Sequence, residues 1–418
     1  MFRGWAIVAV AFIGQAFGIA PLLVYTFGVF AKPLAEAFHS NRGSIALAVS
    51  LLDVIIGLSA PAAGWLADRH GARGVIAGSL VALAACLVAL AFVQPPLWHL
   101  YSLYALAALV GVASSPVTYG RVVANWFDRN RGLALGLATA GIGFGAFITP
   151  ILAQFLLDRA GWRVAYLGLA GTAFLIALPA VGLWLRGTPQ EVGLLADGAS
   201  APDQRASAAG AVVGMTAREA VGTRTFWQLC IIFFCVAACV NGSIAHLVPL
   251  LTDHGVSGST AALATSLFGL TSIVGRVGNG YLVDRIFAPR VAAVLFAGAA
   301  IGVALLLADT TSGTASVAAA LLGLAVGAES DVIPFLISRY FGMRAMAMLF
   351  GCAFGAYVLG NATGRYLFAA GYDATGSYSL PLVSALGVLV LASIATLTLG
   401  RYDLVPAEQS SLGSKVAG

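Results

Sequence analysis

Twelve long apolar stretches fill this chain, and they leave few folds open to it. They cover approximately residues 5–30, 45–66, 74–93, 100–126, 133–157, 164–185, 226–251, 260–282, 289–308, 316–338, 345–368 and 380–400. About 20 apolar residues wound as a helix span a hydrocarbon core roughly 30 Å thick. In lipid each backbone polar group must be satisfied within its own segment, so stretches of this length read as helices. A membrane barrel would show alternating segments of about ten residues instead, and the sequence has no such pattern. Only 9% of the 418 residues are charged, against about 25% in soluble domains, which excludes a protein dissolved in water.

The formal charge of +5 does not point to nucleic acid, because the basic residues sort by loop rather than gathering on one soluble face. With the N-terminus inside, the inner loops and tails hold fourteen Lys/Arg, from Arg3 and Arg69 to Arg401 and Lys415. The outer loops hold four: Lys32, Arg42, Arg159 and Arg163. An excess of Lys/Arg marks the cytoplasmic side, so both termini are expected to be cytoplasmic. The first stretch is too long for a signal-peptide core and is expected to remain as a span. Cys86, Cys230, Cys235, Cys239 and Cys352 all fall in apolar stretches without paired spacing. They read as small core residues, and neither a metal nor another cofactor is expected.

Residues 186–225 carry prolines, serines, glycines and scattered charges, as a solvated linker does. Within it, Thr216 is placed to cap a short helix over Ala217 to Val221. The linker divides the stretches six and six, and two repeats support the division. Gly64-Trp-Leu-Ala-Asp68-Arg69-His-Gly71-Ala-Arg73 in the first half has its counterpart in Gly280-Tyr-Leu-Val-Asp284-Arg285 in the second. Val123-Ala-Asn-Trp-Phe127-Asp-Arg-Asn-Arg131 corresponds to Ile337-Ser-Arg-Tyr-Phe341-Gly-Met-Arg344. A glycine-rich stretch follows each member of this second pair, and small residues let helices approach closely in lipid.

These signatures resemble those of the major facilitator superfamily of transporters. The resemblance implies an all-α membrane protein with twelve transmembrane helices in two six-helix bundles related by a parallel pseudo-twofold repeat. The expected bundles are residues 1–185 and 226–401, joined by the linker and followed by a tail from 402. A monomer in the inner (plasma) membrane, surrounded by lipid, is expected.

An ionisable side chain inside a membrane costs about 2.5–3.5 kcal/mol or more on insertion scales, so such residues are candidates for function. Helix rise places Arg276 about 12 Å inside the boundary at Asp284, and Glu329 and Asp331 about 15 and 12 Å inside Arg339. These three should share a layer. Arginine suits a carboxylate because its planar fork binds two oxygens and stays charged. Arg276 is therefore the candidate substrate anchor, and Glu329 or Asp331 the candidate proton-coupling group. The rival reading is a permanent ion pair that fixes helix packing. Tyr119, Asn241, His246, Tyr25 and Tyr357 are further candidates to line a binding cavity, and His246 is an alternative proton carrier. Asp68, Arg69, Arg73, Arg121, Asp284, Arg285 and Arg339 lie near the inner boundary and read as gating residues. Asp53 and Arg365 lie nearer the outer face, as a gate pair or, more readily, a static surface pair.

Thr271-Ser-Ile-Val-Gly-Arg276-Val-Gly-Asn-Gly280 resembles the eighth span of the monocarboxylate transporter family, and the opening Arg3-Gly4-Trp5 is similar to that family's first span. The run Gly327-Ala-Glu329-Ser-Asp331 is similar to the tenth span of bacterial relatives. The resemblance implies that Arg276 binds substrate. In animal members an aspartate four residues earlier carries the proton, whereas here Ser272 stands there, which moves the expectation to Glu329 or Asp331. The function expected is secondary transport of a small organic anion, a monocarboxylate moved with a proton. The alternatives are anion exchange and proton-driven efflux of hydrophobic compounds. Neither a phosphate-binding loop nor a catalytic constellation stands in the sequence, so no enzyme is expected.

Overall fold

The computed structural model describes residues 2–198, 214–253, 258–308 and 312–402. Most of the expected linker and tail lies outside the described residues. The described elements are α1 (Arg3–Ala16), α2 (Phe27–Ala37), α3 (Arg42–His70), α4 (Ala72–Ala91), α5 (Leu97–Gly111), α6 (Pro116–Trp126), α7 (Arg131–Thr172) and α8 (Leu178–Trp184). After the linker come α9 (Ala217–Val221), α10 (Arg224–Ala245), α11 (Leu247–Asp253), α12 (Gly258–Val283), α13 (Ala288–Leu307), α14 (Ser312–Phe341), α15 (Met346–Thr375) and α16 (Ser379–Leu397). Ten segments of the described residues are long and apolar enough to cross a membrane. Large apolar side chains such as Phe147, Leu175 and Val294 are exposed on the outer surface, where lipid rather than water is their natural solvent.

Local chemistry explains where the helices start and stop. Asn41 accepts from the Ser44 amide at 2.7 Å and begins α3. Gly71, at φ 84°, ends it and opens α4 at once. Thr216 and Glu219 form a capping box on α9, the short helix expected there. The amide of Thr216 bonded to its carboxylate holds Glu219 below the usual carboxylate range.

The boundaries correct the sequence reading in two places. The first stretch runs only to Tyr25, where a π-helical turn, Ala20–Tyr25, gives way to the separate α2. The seventh ends at Ala245, before His246 and α11. The fifth and sixth follow one another within the run Arg131–Trp184, which is interrupted between them at Gly161 with φ 82° and ψ 172°. A residue without a Cβ tolerates that conformation, so the chain reverses there without a loop.

Helices from the two sides of the linker meet through glycines. Gly132 lies against the Gly280 carbonyl, Gly64 against that of Ala347, and Gly355 against that of Gly57, each too close to admit a Cβ. The first two of these contacts lie at the linker side, where the two halves are pressed together.

Candidate functional site

A cavity of about 180 Å³ lies between the halves. The first half lines it with Gln15, Tyr25, Asp53, Ser115 and Ile142, and the second with Asn241, Arg276, Ser330, Tyr357, Asn361 and Arg365. Its second-half wall depends on the close packing of α12 and α14. Gly275 faces the backbone of Leu324, and Gly327 faces the backbone of Ser272 and Arg276. This brings Arg276 beside the polar triplet of α14. Its Nη1 donates to Ser330 Oγ at 2.9 Å and to Asp331 Oδ1 at 3.3 Å, while the Ser330 hydroxyl donates to the same carboxylate oxygen at 3.0 Å.

One atom of each charged group remains unused. Arg276 Nε and Asp331 Oδ2 are buried without a hydrogen-bond partner among the described residues. Neither oxygen of the fully buried Glu329 has one. Glu329 nevertheless lies within electrostatic reach of Arg276. Thr139, from the first half, approaches Asp331, so this layer spans the interface.

The other candidates separate into cavity residues and packing residues. Tyr357, Asn361 and Arg365 stand four residues apart on α15, hence on one face, and all line the cavity with Asn241 and Tyr25. Tyr119 does not line it. Its ring is fully buried against Gly14, with the hydroxyl unpartnered among the described residues. His246 also stands outside: it stacks on Phe368, and its Nε2 lies 3.2 Å from the Arg365 carbonyl oxygen. Both fail the expectation for the same reason, since the turn of the helix directs each ring toward a neighbour in its own half. Asp53 and Arg365 form an ion pair at 3.2 Å that joins the halves at the cavity wall. It is not the surface pair that their depth suggested.

At the linker side two aspartates close the interface. Asp68 pairs with Arg121 and accepts from the amides of Ala347 and Met348, at 3.3 and 2.9 Å. Asp284 accepts from the amides of Gly132 and Leu133 at 2.7 and 2.9 Å. Each carboxylate thereby caps the start of a helix in the opposite half, α15 or α7, where free amides and the helix dipole favour negative charge. Arg339 was expected with these aspartates but pairs with Asp128 at 3.0 Å, because the amides already occupy Asp284. Arg69 lies over the Trp65 ring, Arg285 over the Tyr281 ring, and Arg73 donates to the Gly182 carbonyl. None of these three joins the closure. Arg131, which sequence reasoning counted only as a loop charge, does join it: its Nη1 donates to Ser338 Oγ across the interface at 3.1 Å. Its place at the first residue of α7, a helix capped by the other half, was the overlooked signal.

Removing one cap should loosen this closure. Each such cap contributes about 1 kcal/mol, so Asp284→Ala is expected to favour opening by roughly fivefold. A reporter cysteine at Val283, with the five native cysteines replaced, should then be alkylated about five times faster from the linker side. An unchanged rate would mean that Asp284 does not hold the halves together.

Known proteins share this architecture. A family model described as Major Facilitator Superfamily matches residues 5–365 and 243–415. Monocarboxylate transporter 11 of Mus musculus is 27% identical over 411 residues, covering 95% of this chain and 88% of that protein. Monocarboxylate transporter 13 of Rattus norvegicus is 27% identical over 422 residues, covering 96% and 89%. The crystal structure of the human organic anion transporter MFSD10 (TETRAN) superposes with a TM-score of 0.70 at 15% identity, covering 94% of this chain and 99% of that one.

Proposed function

This chain belongs to the major facilitator superfamily, and we propose that it is a secondary transporter carrying a small monocarboxylate together with a proton. Its relatives are membrane transporters, not enzymes. We count twelve spans by dividing Arg131–Trp184 at Gly161 and adding α12 to the other nine segments. In this reading residues 1–185 and 226–401 are the two bundles, and the linker side faces the cytoplasm of an inner membrane. The monocarboxylate transporters among its relatives favour that substrate class.

The observation that carries the proposal is Arg276. It lines a cavity between the halves, with Nη1 engaged by Asp331 and Ser330 and Nε buried without a hydrogen-bond partner among the described residues. An incoming carboxylate competes with Asp331 for the guanidinium fork. Asp331, already served by Arg276 and Ser330, keeps its charge satisfied in the empty carrier. Glu329 has no donor for either oxygen, so we assign it the proton. Loading Glu329 with a proton leaves Arg276 with one negative partner fewer, and the substrate supplies the replacement. Binding of proton and anion is coupled in this way.

Alternating access then follows from the closure at Asp68 and Asp284. In this conformation the linker side is shut, and rocking of the halves must break both sets of caps before solute can leave there. Efflux of hydrophobic cations has less support. Asp53, the acidic residue that lines the cavity, is held by Arg365, and Asp331 behind it is held by Arg276.

The test is uptake of labelled lactate by proteoliposomes containing the purified protein. We expect an inward proton gradient to stimulate uptake several-fold over equal pH. Uptake that depends on a trapped counter-anion and ignores the gradient would establish exchange instead. No uptake by folded protein would remove the monocarboxylate assignment.

A further inference from the structure

The first residues of the linker do not leave the first half but fold back against it. Asn125 Nδ2 donates to the Gly187 carbonyl at 3.0 Å, and Trp126 Nε1 donates to that of Arg186 at 2.9 Å. Thr188 and Glu191 form a capping box on the turn Pro189–Val192. The next turn, Ala196–Gly198, lies against α1 and α6. There Asp197 Oδ2 accepts from two successive backbone amides of the loop between α6 and α7. They are those of Asp128, at 3.0 Å, and Arg129, at 2.9 Å.

This grip bears on the contact that Arg339 makes across the interface. Arg339 Nη1 donates to the Asp128 carboxylate at 3.0 Å, and its Nη2 donates to the Asp128 carbonyl at 2.8 Å. The Asp128 carbonyl and the Arg129 amide belong to one planar peptide unit. Asp197 therefore aims the oxygen that Arg339 meets by holding the hydrogen on the other edge of that plane. The far end of the linker serves the other partner. Met215 donates its amide to the Phe341 carbonyl at 2.9 Å, two residues past Arg339, and Gly214 lies too close to that carbonyl to admit a Cβ.

We propose that the two ends of the linker are working parts of the closure, and that Asp197 is the residue that positions Asp128 for Arg339. This rests on the alternating-access reading above and holds for any solute. The 17 residues between Asp197 and Met215 reach about 60 Å when extended. Neither grip has to break when the halves part. Each keeps its own side of the contact in shape, so less ordering is left to be done when the halves meet again.

The test is alkylation of the Val283 reporter cysteine by a charged maleimide, added to the linker side of full-length protein in proteoliposomes. Asp197→Gly removes the carboxylate, and glycine adopts the φ of 55° found there without strain. Labelling should become about threefold faster, as for losing one modest hydrogen bond. Asp197→Asn keeps an oxygen able to accept both amides and should label at the native rate. In an Arg339→Met background the contact is already gone, so Asp197→Gly should add nothing further. A reporter at Tyr25, at the far end of the first span, should not react faster in Asp197→Gly.

A native rate in Asp197→Gly, beside faster labelling in Asp284→Ala, would overturn the role of Asp197 and leave the closure standing. Unchanged rates in both would overturn the closure as well. Asp197→Asn labelling as fast as Asp197→Gly would mean that charge acts rather than the grip on the loop, and the proposal would fall. It would fall equally if Asp197→Gly kept its full effect in the Arg339→Met background. Faster labelling at Tyr25 too would make Asp197 a residue that holds the fold rather than the closure.

Discussion

Arg276→Ala is expected to lower carboxylate uptake by roughly 100-fold, the equivalent of about 3 kcal/mol for truncating one partner of a buried charge pair. The whole effect should fall on substrate affinity and coupling, because the guanidinium is the group that meets the carboxylate. The substitution also strands Asp331, and an uncompensated buried charge destabilises by about 3–5 kcal/mol. The double variant Arg276→Ala with Asp331→Asn separates the two consequences, since it removes both charges together. It should recover the thermal stability lost by the single variant and remain inactive. Uptake restored in the double variant would show that Arg276 serves only to neutralise Asp331. Arg276→Lys keeps the charge and loses the planar fork, so it should retain more activity than alanine but less than the native residue.

Glu329→Gln is expected to divide transport into its parts. The amide stays neutral at every pH, so a proton gradient can no longer drive accumulation. Exchange of labelled for unlabelled anion should persist, because that half-cycle never requires release of the proton. In proteoliposomes gradient-driven uptake should fall to the equal-pH level while counterflow remains within about threefold of native. Both oxygens are buried without a partner among the described residues, so the amide is expected to be tolerated there. Gradient-driven uptake that survives in Glu329→Gln would move the proton to Asp331 or to a group outside this layer. Equal loss of both activities would make Glu329 a packing residue.

Much of this architecture was visible in the chain because lipid imposes a simple rule. A stretch such as Ala288–Leu307 must be a helix when it has no water to satisfy its backbone. The depth of Arg276 and Asp331 followed from helix rise alone, and they meet at 3.3 Å. Direction around the helix axis was harder. Tyr119 and His246 were sound candidates by residue type and depth, yet their rings turn into neighbouring side chains. Rotation depends on which small residues face which helix, and that pairing is a property of the assembled interface. Gln15 was missed for another reason. Attention to ionisable groups passed over a neutral amide that lines the cavity. The partners of Asp284 were equally hidden, since backbone amides carry no signature in a list of side chains.

The caps at Asp68 and Asp284 have a consequence for how such a chain holds itself together. Each half offers a carboxylate that reaches across to the other and a helix start that it does not cap itself. Ala347 and Met348 depend on Asp68, while Gly132 and Leu133 depend on Asp284. The repeated signature thus works as a handshake, in which each partner's open hand fits only the other's. A half on its own would keep both defects, and two copies of the same half would have to offer one another the wrong helix. The two copies of one short signature have in this way become complementary surfaces.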